Sequence, residues 1–100
     1  KDVVISETAG RGNADVARRD LYFTVTSPTH KLMLLLRGST IELRELYDRV
    51  ADPRELNNII ADQSAASVRD DLVEQLLTER DEIMTMRGVT RGREKIVSQQ

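Results

Sequence analysis

The chain has 100 residues, 39% apolar and 32% charged, with a net charge of −2, which sets it among ordinary folding domains and away from compositions that stay disordered. With no cysteine it has no disulfide framework, thiolate metal site or cysteine nucleophile, and its three aromatic residues (Tyr22, Phe23, Tyr47) offer no stacking platform for single-stranded nucleic acid. A chain this short forms one domain with a thin, aliphatic core, and its longest apolar run, Leu32 to Leu36, falls far below the roughly 20 residues of a membrane span.

In chain order, Val3-Val4-Ile5-Ser6 is a short β-branched run that predicts a strand. Ala9-Gly10-Arg11-Gly12-Asn13 follows as a loop able to take positive φ. From Leu21 the alternation of Leu21, Phe23 and Val25 with Tyr22, Thr24 and Thr26 has period two, which predicts a strand with one buried face. Ser27-Pro28-Thr29-His30 reads either as a hairpin connection into Lys31 to Leu36 or as a helix start with Gly38 as its C-cap. The hairpin is preferred, because a ten-residue helix carrying five adjacent apolar residues has no polar face.

Ile41 to Asp48 leaves two readings open. Ser39-Thr40-Ile41-Glu42 has capping-box spacing and favours a helix, whereas a third strand fits the preceding hairpin. Asp52-Pro53-Arg54-Glu55 predicts a helix or helical turn from Pro53, with Asp52 accepting from the orphan amides and Glu55 reaching back to the cap. Ser67 with Asp70 predicts the start of an amphipathic helix of roughly five turns, whose stripe is Val68, Leu72, Val73, Leu76, Leu77, Ile83 and Met84 and whose end is Gly88. That helix is expected to cover one face of a small sheet.

Charge is unevenly spread: residues 41–86 carry twelve acids against five bases, and 87–100 carry four bases against one acid. The acidic middle argues against a helix-turn-helix reader of nucleic acid. Arg87, Arg91, Arg93 and Lys95 form a basic tail, expected to fray into solvent. The expected organisation is a subdomain over 1–88 and a tail over 89–100. The opening at Lys1, without a methionine or a signal-peptide succession, is what a piece of a longer polypeptide would show. Compartment is not legible.

Glu45-Leu46-Tyr47-Asp48, then Asp52-Pro53, Glu55 and Asn58-Ile59, resembles the ELYDL-x-x-DP-x-E-x-x-NL signature near the C-terminus of sulfatases in the alkaline phosphatase superfamily. Val25-Thr26-Ser27-Pro28-Thr29-His30-Lys31-Leu32 stands where these enzymes often read V-R-T-D-R-Y-K-L, and Ile5-Ser6-Glu7-Thr8-Ala9-Gly10-Arg11-Gly12 looks like their S-E-H-G-G-R-G stretch. The chain departs from the family at Thr8, where histidine is usual, at Thr26, where arginine is usual, and at His30, where tyrosine is common.

The resemblance implies an α+β subdomain, a small antiparallel sheet of about four strands with one long C-terminal helix packed on it, which tips Ile41 to Asp48 towards strand. It implies an N-terminal catalytic domain as partner. A homo-oligomer is a further expectation, and the acidic balance of residues 41–86 and the short apolar run leave neither nucleic acid nor membrane as an expected partner. Substrate contact would fall on Glu7, Arg11, His30 and Lys31. Tyr47, Asp48, Asp52, Pro53, Glu55 and Asn58 would form a structural motif.

Family chemistry uses a formylglycine made within C/S-x-P-x-R, beside calcium or another divalent cation. No C/S-x-P-x-R occurs in the chain. No Asp/Asn cluster offers the convergent oxygens of a hard-cation site. His30 is the single histidine, so no catalytic triad assembles around it without distant carboxylates. The expectation is an enzyme's subdomain with neither catalytic nor metal-binding residues of its own; the rival expectation is a free-standing interaction module.

Overall fold

The computed structural model describes residues 2–9 and 19–97. Arg11 and the rest of the expected glycine loop beyond Ala9 lie outside them. Strand β1 (Val4–Ala9) is followed by β2 (Leu21–Thr26), β3 (His30–Arg37) and β4 (Thr40–Asp48), then by helices α1 (Ala66–Glu79) and α2 (Asp81–Met86), and last by β5 (Lys95–Ile96). The five strands form one sheet in the order β1-β2-β3-β4-β5. The first four are antiparallel neighbours, and β5 adds to β4 in parallel.

Alternation explains the core. Leu21, Phe23 and Val25 of β2 and Leu32, Leu34 and Leu36 of β3 point to one side, where Leu72, Val73, Leu76 and Leu77 of α1 and Met84 of α2 close over them. Phe23, Val25, Leu32 and Leu76 have no exposed surface at all. This is the α+β arrangement the resemblance implied, with the helical stripe on a small sheet. The sheet has one short parallel strand more than expected, and the helix is interrupted at Arg80 (φ −118, ψ 36). Hydrogen bonds run across the interruption, from Arg80 N to Leu76 O (2.9 Å) and from Met84 N to Arg80 O (3.1 Å).

Strand β4 shows why Ile41 to Asp48 reads ambiguously. Met33 pairs with Glu45 but Leu34 pairs with Leu43, so Arg44 is the extra residue of a β-bulge. Ile41 and Leu43 face the helix before the bulge, and Leu46 faces it afterwards. Their spacing of two and then three residues breaks the strand period and imitates a helical one. The preceding turn needs only Gly38, at φ 60, to join Arg37 to its partner Thr40.

Of the helix or helical turn expected from Pro53, only a turn forms: Asp52 to Glu55 are closed by Glu55 N donating to Asp52 O at 3.0 Å. Two expectations are corrected. Ser67 is not an N-cap, because a 3₁₀ turn over Gln63–Ala65 with buried Ala65 supplies the entry and α1 already begins at Ala66. The basic tail does not fray up to Val97: Arg87 is buried and donates to Arg19 O at 2.6 Å, and Val97 N donates to Leu43 O at 2.8 Å. Helix α2 ends as expected at Gly88 (φ 69), with Gly88 N donating to Thr85 O and Val89 N to Met84 O, the paired bonds of a Schellman cap.

Candidate functional site

The sulfatase-like residues gather where β4 leaves the sheet. Asp48, the last residue of β4, accepts from the amides of Val50 and Ala51 through one carboxylate oxygen, at 2.9 Å each. These amides, Ala51 foremost, hold its carboxyl below the usual carboxylate range, helped by His30. Asp52 N donates to Asp48 O (2.8 Å), and the two oxygens of Asp52 accept from the amides of Leu56 (3.0 Å) and Asn57 (2.9 Å). Asp52 does receive orphan amides, but those of the turn's exit. It clamps the turn; it caps no helix.

Glu55 is the one non-glycine residue at positive φ (56°) among the described residues. Its carboxylate does not reach back to the cap. It receives Lys31 Nζ at 3.0 and 3.2 Å, an ion pair between β3 and the turn. Pro53 sits exposed in the turn, where its fixed φ suits the bend and no amide is missed.

Asn58 then stitches the returning chain to the sheet. Its Oδ1 accepts from Leu46 N (3.0 Å) and Ile60 N (3.1 Å), its Nδ2 donates to Arg44 O (3.0 Å), and Ile59 N donates to Leu46 O (2.9 Å). The outer edge of β4 at the bulge is therefore sealed by a side chain that mimics a strand's amide and carbonyl. Tyr47 is buried on the opposite face and donates its hydroxyl to Glu45. That hydrogen bond, with burial and the carboxylates of Glu45, Glu55 and Asp52, pushes the phenol up to about 12.

Of the expected substrate-contact residues, His30 and Lys31 begin β3 beside this corner, while Glu7 lies on β1, two strands away, facing Arg80 at 3.6 Å. His30 Nδ1 is 2.9 Å from Thr29 Oγ1, and Nε2 is 4.0 Å from Asp48 Oδ2. The hairpin connection expected at Ser27-Pro28-Thr29-His30 forms between β2 and β3, and the Ser27 hydroxyl, whose role the sequence did not show, accepts from the amides of Thr29 (3.3 Å) and His30 (3.0 Å) and fixes the turn. Arg49 was missed from the sequence, although its Nη1 donates to Ser27 O at 2.6 Å. The serine before Pro28 is the usual mark of such a turn; Arg49 gives no local signal, because its acceptor is 22 residues away.

The corner is built to hold, not to react: its carboxylates are taken by amides, by a lysine or by the Tyr47 hydroxyl. Among the described residues no group of three or more His, Cys, Asp or Glu side chains could hold a metal ion. The residues here therefore do not fit the calcium or other divalent cation of the family's chemistry, and without a C/S-x-P-x-R they do not fit its formylglycine.

No protein-family model matches the chain, and no curated protein does. Solved structures do. One is BT4656, described in complex with its substrate D-glucosamine-2-N,6-O-disulfate, with a TM-score of 0.55 and 23% identity over 85% of this chain. Another is the Bacteroides fragilis protein yidJ, assigned as a sulfatase, with a TM-score of 0.54 and 16% identity over 84% of this chain. The chain spans only 16% and 18% of the length of those two proteins. Its fold is thus that of a small part of sulfatase structures, in agreement with the motif resemblance.

Proposed function

We propose that this chain is the C-terminal subdomain of a sulfatase-like hydrolase, supporting the catalytic domain and bordering its substrate pocket, with sulfuric ester hydrolysis carried out by the longer polypeptide. The observation that carries the reading is the fold match over 85% of this chain but 16% of a sulfatase. The motif adds to it, since Asp48, Asp52, Glu55 and Asn58 each hold the turn that leads from β4 to the helix. On this reading the nucleophile and the divalent cation belong to the catalytic domain.

Lys31, His30, Glu7 and Arg11 remain the proposed substrate contacts. Lys31 would reach an anionic group only by leaving Glu55, so its contribution would be traded against the turn. The test is to express the longer polypeptide that contains this segment, with and without residues 2–97, and to assay aryl sulfate hydrolysis. Activity of the longer form alone is expected; turnover by the 100-residue chain itself would overturn the reading.

A further inference from the structure

Away from the corner, near the start of β4, the tail that carries β5 runs beside α1, tied to it by Arg91 and Glu74 at 2.6 Å. Between tail and helix lies a cleft of about 380 Å³, within the range of about 300 to 1,000 Å³ that small organic molecules occupy. Arg69, Val73 and Leu77, spaced by four, bring one face of α1 to it, and Leu43 of β4 lies with them. Leu43, Val73 and Leu77 belong to the core. Ile96 of β5 adds apolar surface from the tail and is still 44% exposed. The cleft is therefore an opening at the edge of the core, with an uncovered isoleucine on one side.

Its charges are unequal. The side chains of Asp70, Glu74 and Arg91 are each half or more exposed, and both acids already hold an arginine, Asp70 through Arg69 Nε at 3.1 Å and Glu74 through Arg91. Water screens such groups. Glu94 accepts from Gly92 N at 2.8 Å. Arg69 differs from all of these: only 18% of its side chain is exposed, and among the described residues nothing holds its two Nη groups. A shielded guanidinium with half of its fork unused suits a carboxylate or a sulfate or phosphate monoester, which takes paired N–H donors. Beside Val73 and Leu77 the attraction acts in a lower dielectric than the repulsion from the solvated acids, and it outweighs them.

We propose that this cleft binds a small amphiphilic anion, its oxyanion head on the Nη groups of Arg69 and a short alkyl or aryl body over Leu43, Val73, Leu77 and Ile96. Head and body are both required, because the guanidinium supplies orientation and charge while covering Ile96 and the core edge supplies the apolar gain. The site goes beyond the hydrolase reading: none of its residues belongs to the corner or to the proposed substrate contacts.

Titration of the 100-residue chain with hexanoate, hexyl sulfate, hexylamine and inorganic sulfate, followed by amide chemical shifts, tests it. Hexanoate or hexyl sulfate should give saturable shifts at Leu43, Val73, Gly92 and Ile96 by about 10 mM, the affinity range of so small a ligand. Hexylamine, with the wrong charge, and inorganic sulfate, without a body, should not saturate. The tighter of the two binding anions identifies the head as carboxylate or ester, and either supports the site. Arg69→Gln should weaken binding about tenfold or more, and Ile96→Ala about threefold. Glu94→Gln, which removes a like charge, should tighten it. Undiminished binding in Arg69→Gln, with the amides of Phe23 and Leu76 unshifted from the native chain to show an intact core, would overturn the proposal. So would hexylamine binding more tightly than hexanoate, weaker anion binding in Glu94→Gln, or the absence of any saturable shift at the cleft.

Discussion

At the scale of single residues, the corner depends on side chains that replace backbone. Asn58 serves two amides and one carbonyl, all half-buried, and Asn58→Ala leaves them without partners. Since an unmade buried hydrogen bond costs about 1 to 3 kcal/mol, the substitution should lower the unfolding free energy by about 2 to 4 kcal/mol in urea titration. Asn58→Asp keeps the acceptor and should cost less. Tyr47 makes a second prediction, in pH. Its phenol ionises near 10.0 when unfolded and is pushed up to about 12 in the fold, so the neutral form is favoured by folding. The stabilisation is complete below pH 10 and fades as pH rises from 10 towards 12. An alkaline unfolding scan should show this loss in the native chain and a flatter profile in Tyr47→Phe; identical profiles would contradict it. These roles were only partly legible. Asp52 and Asn58 announce a turn by their type and spacing, but the partner of Glu55 is 24 residues back in the chain, and no local pattern reveals a contact made by folding.

At the scale of elements, period decides what the sequence discloses. Strand β2 keeps a clean alternation and is read without competition, whereas the bulge at Arg44 shifts the inward positions of β4 from odd to even numbers and makes a strand look helical. Helix α1 was legible for the opposite reason, since its stripe repeats at helical spacing, yet its true start was hidden by a 3₁₀ turn that buries Ala65. Leu76, with no exposed surface, tests the stripe. Leu76→Asp places a carboxylate in the core, at a cost comparable with the about 5 to 15 kcal/mol that holds a small domain together. The cooperative thermal transition should vanish from circular dichroism. The end of α2 gives a gentler test. A Cβ on Gly88 meets nothing within 4 Å, so only the left-handed backbone at φ 69 opposes it. Gly88→Ala should therefore cost about 1 kcal/mol, and Gly88→Asn less, because asparagine tolerates that conformation.

At the scale of the whole molecule, the edge of the sheet beyond β4 is closed piece by piece. The outer edge of β4 is sealed twice, by Asn58-Ile59 opposite residues 44–46 and by β5 opposite Glu42 and Leu43. The second seal was invisible in the sequence, because two residues in a basic segment carry no period, and the attraction that places them is the pairing of Arg91 with Glu74 at 2.6 Å and the bond from Val97 N to Leu43 O. A chain ending at Thr90 loses both, together with the parallel pairing of β5. Two or three hydrogen bonds at about 1 kcal/mol each correspond to a drop in melting temperature of about 8 to 20 °C for a domain of this size. The core beneath α1 is untouched, so the shortened chain should still fold. What it gains is a bare strand edge at residues 42–43, which pairs readily with another edge. Sedimentation velocity should then show self-association that grows with concentration and is absent from the native chain. A shortened chain that stays monomeric with an unchanged melting temperature would show that β5 lies on the sheet without holding it.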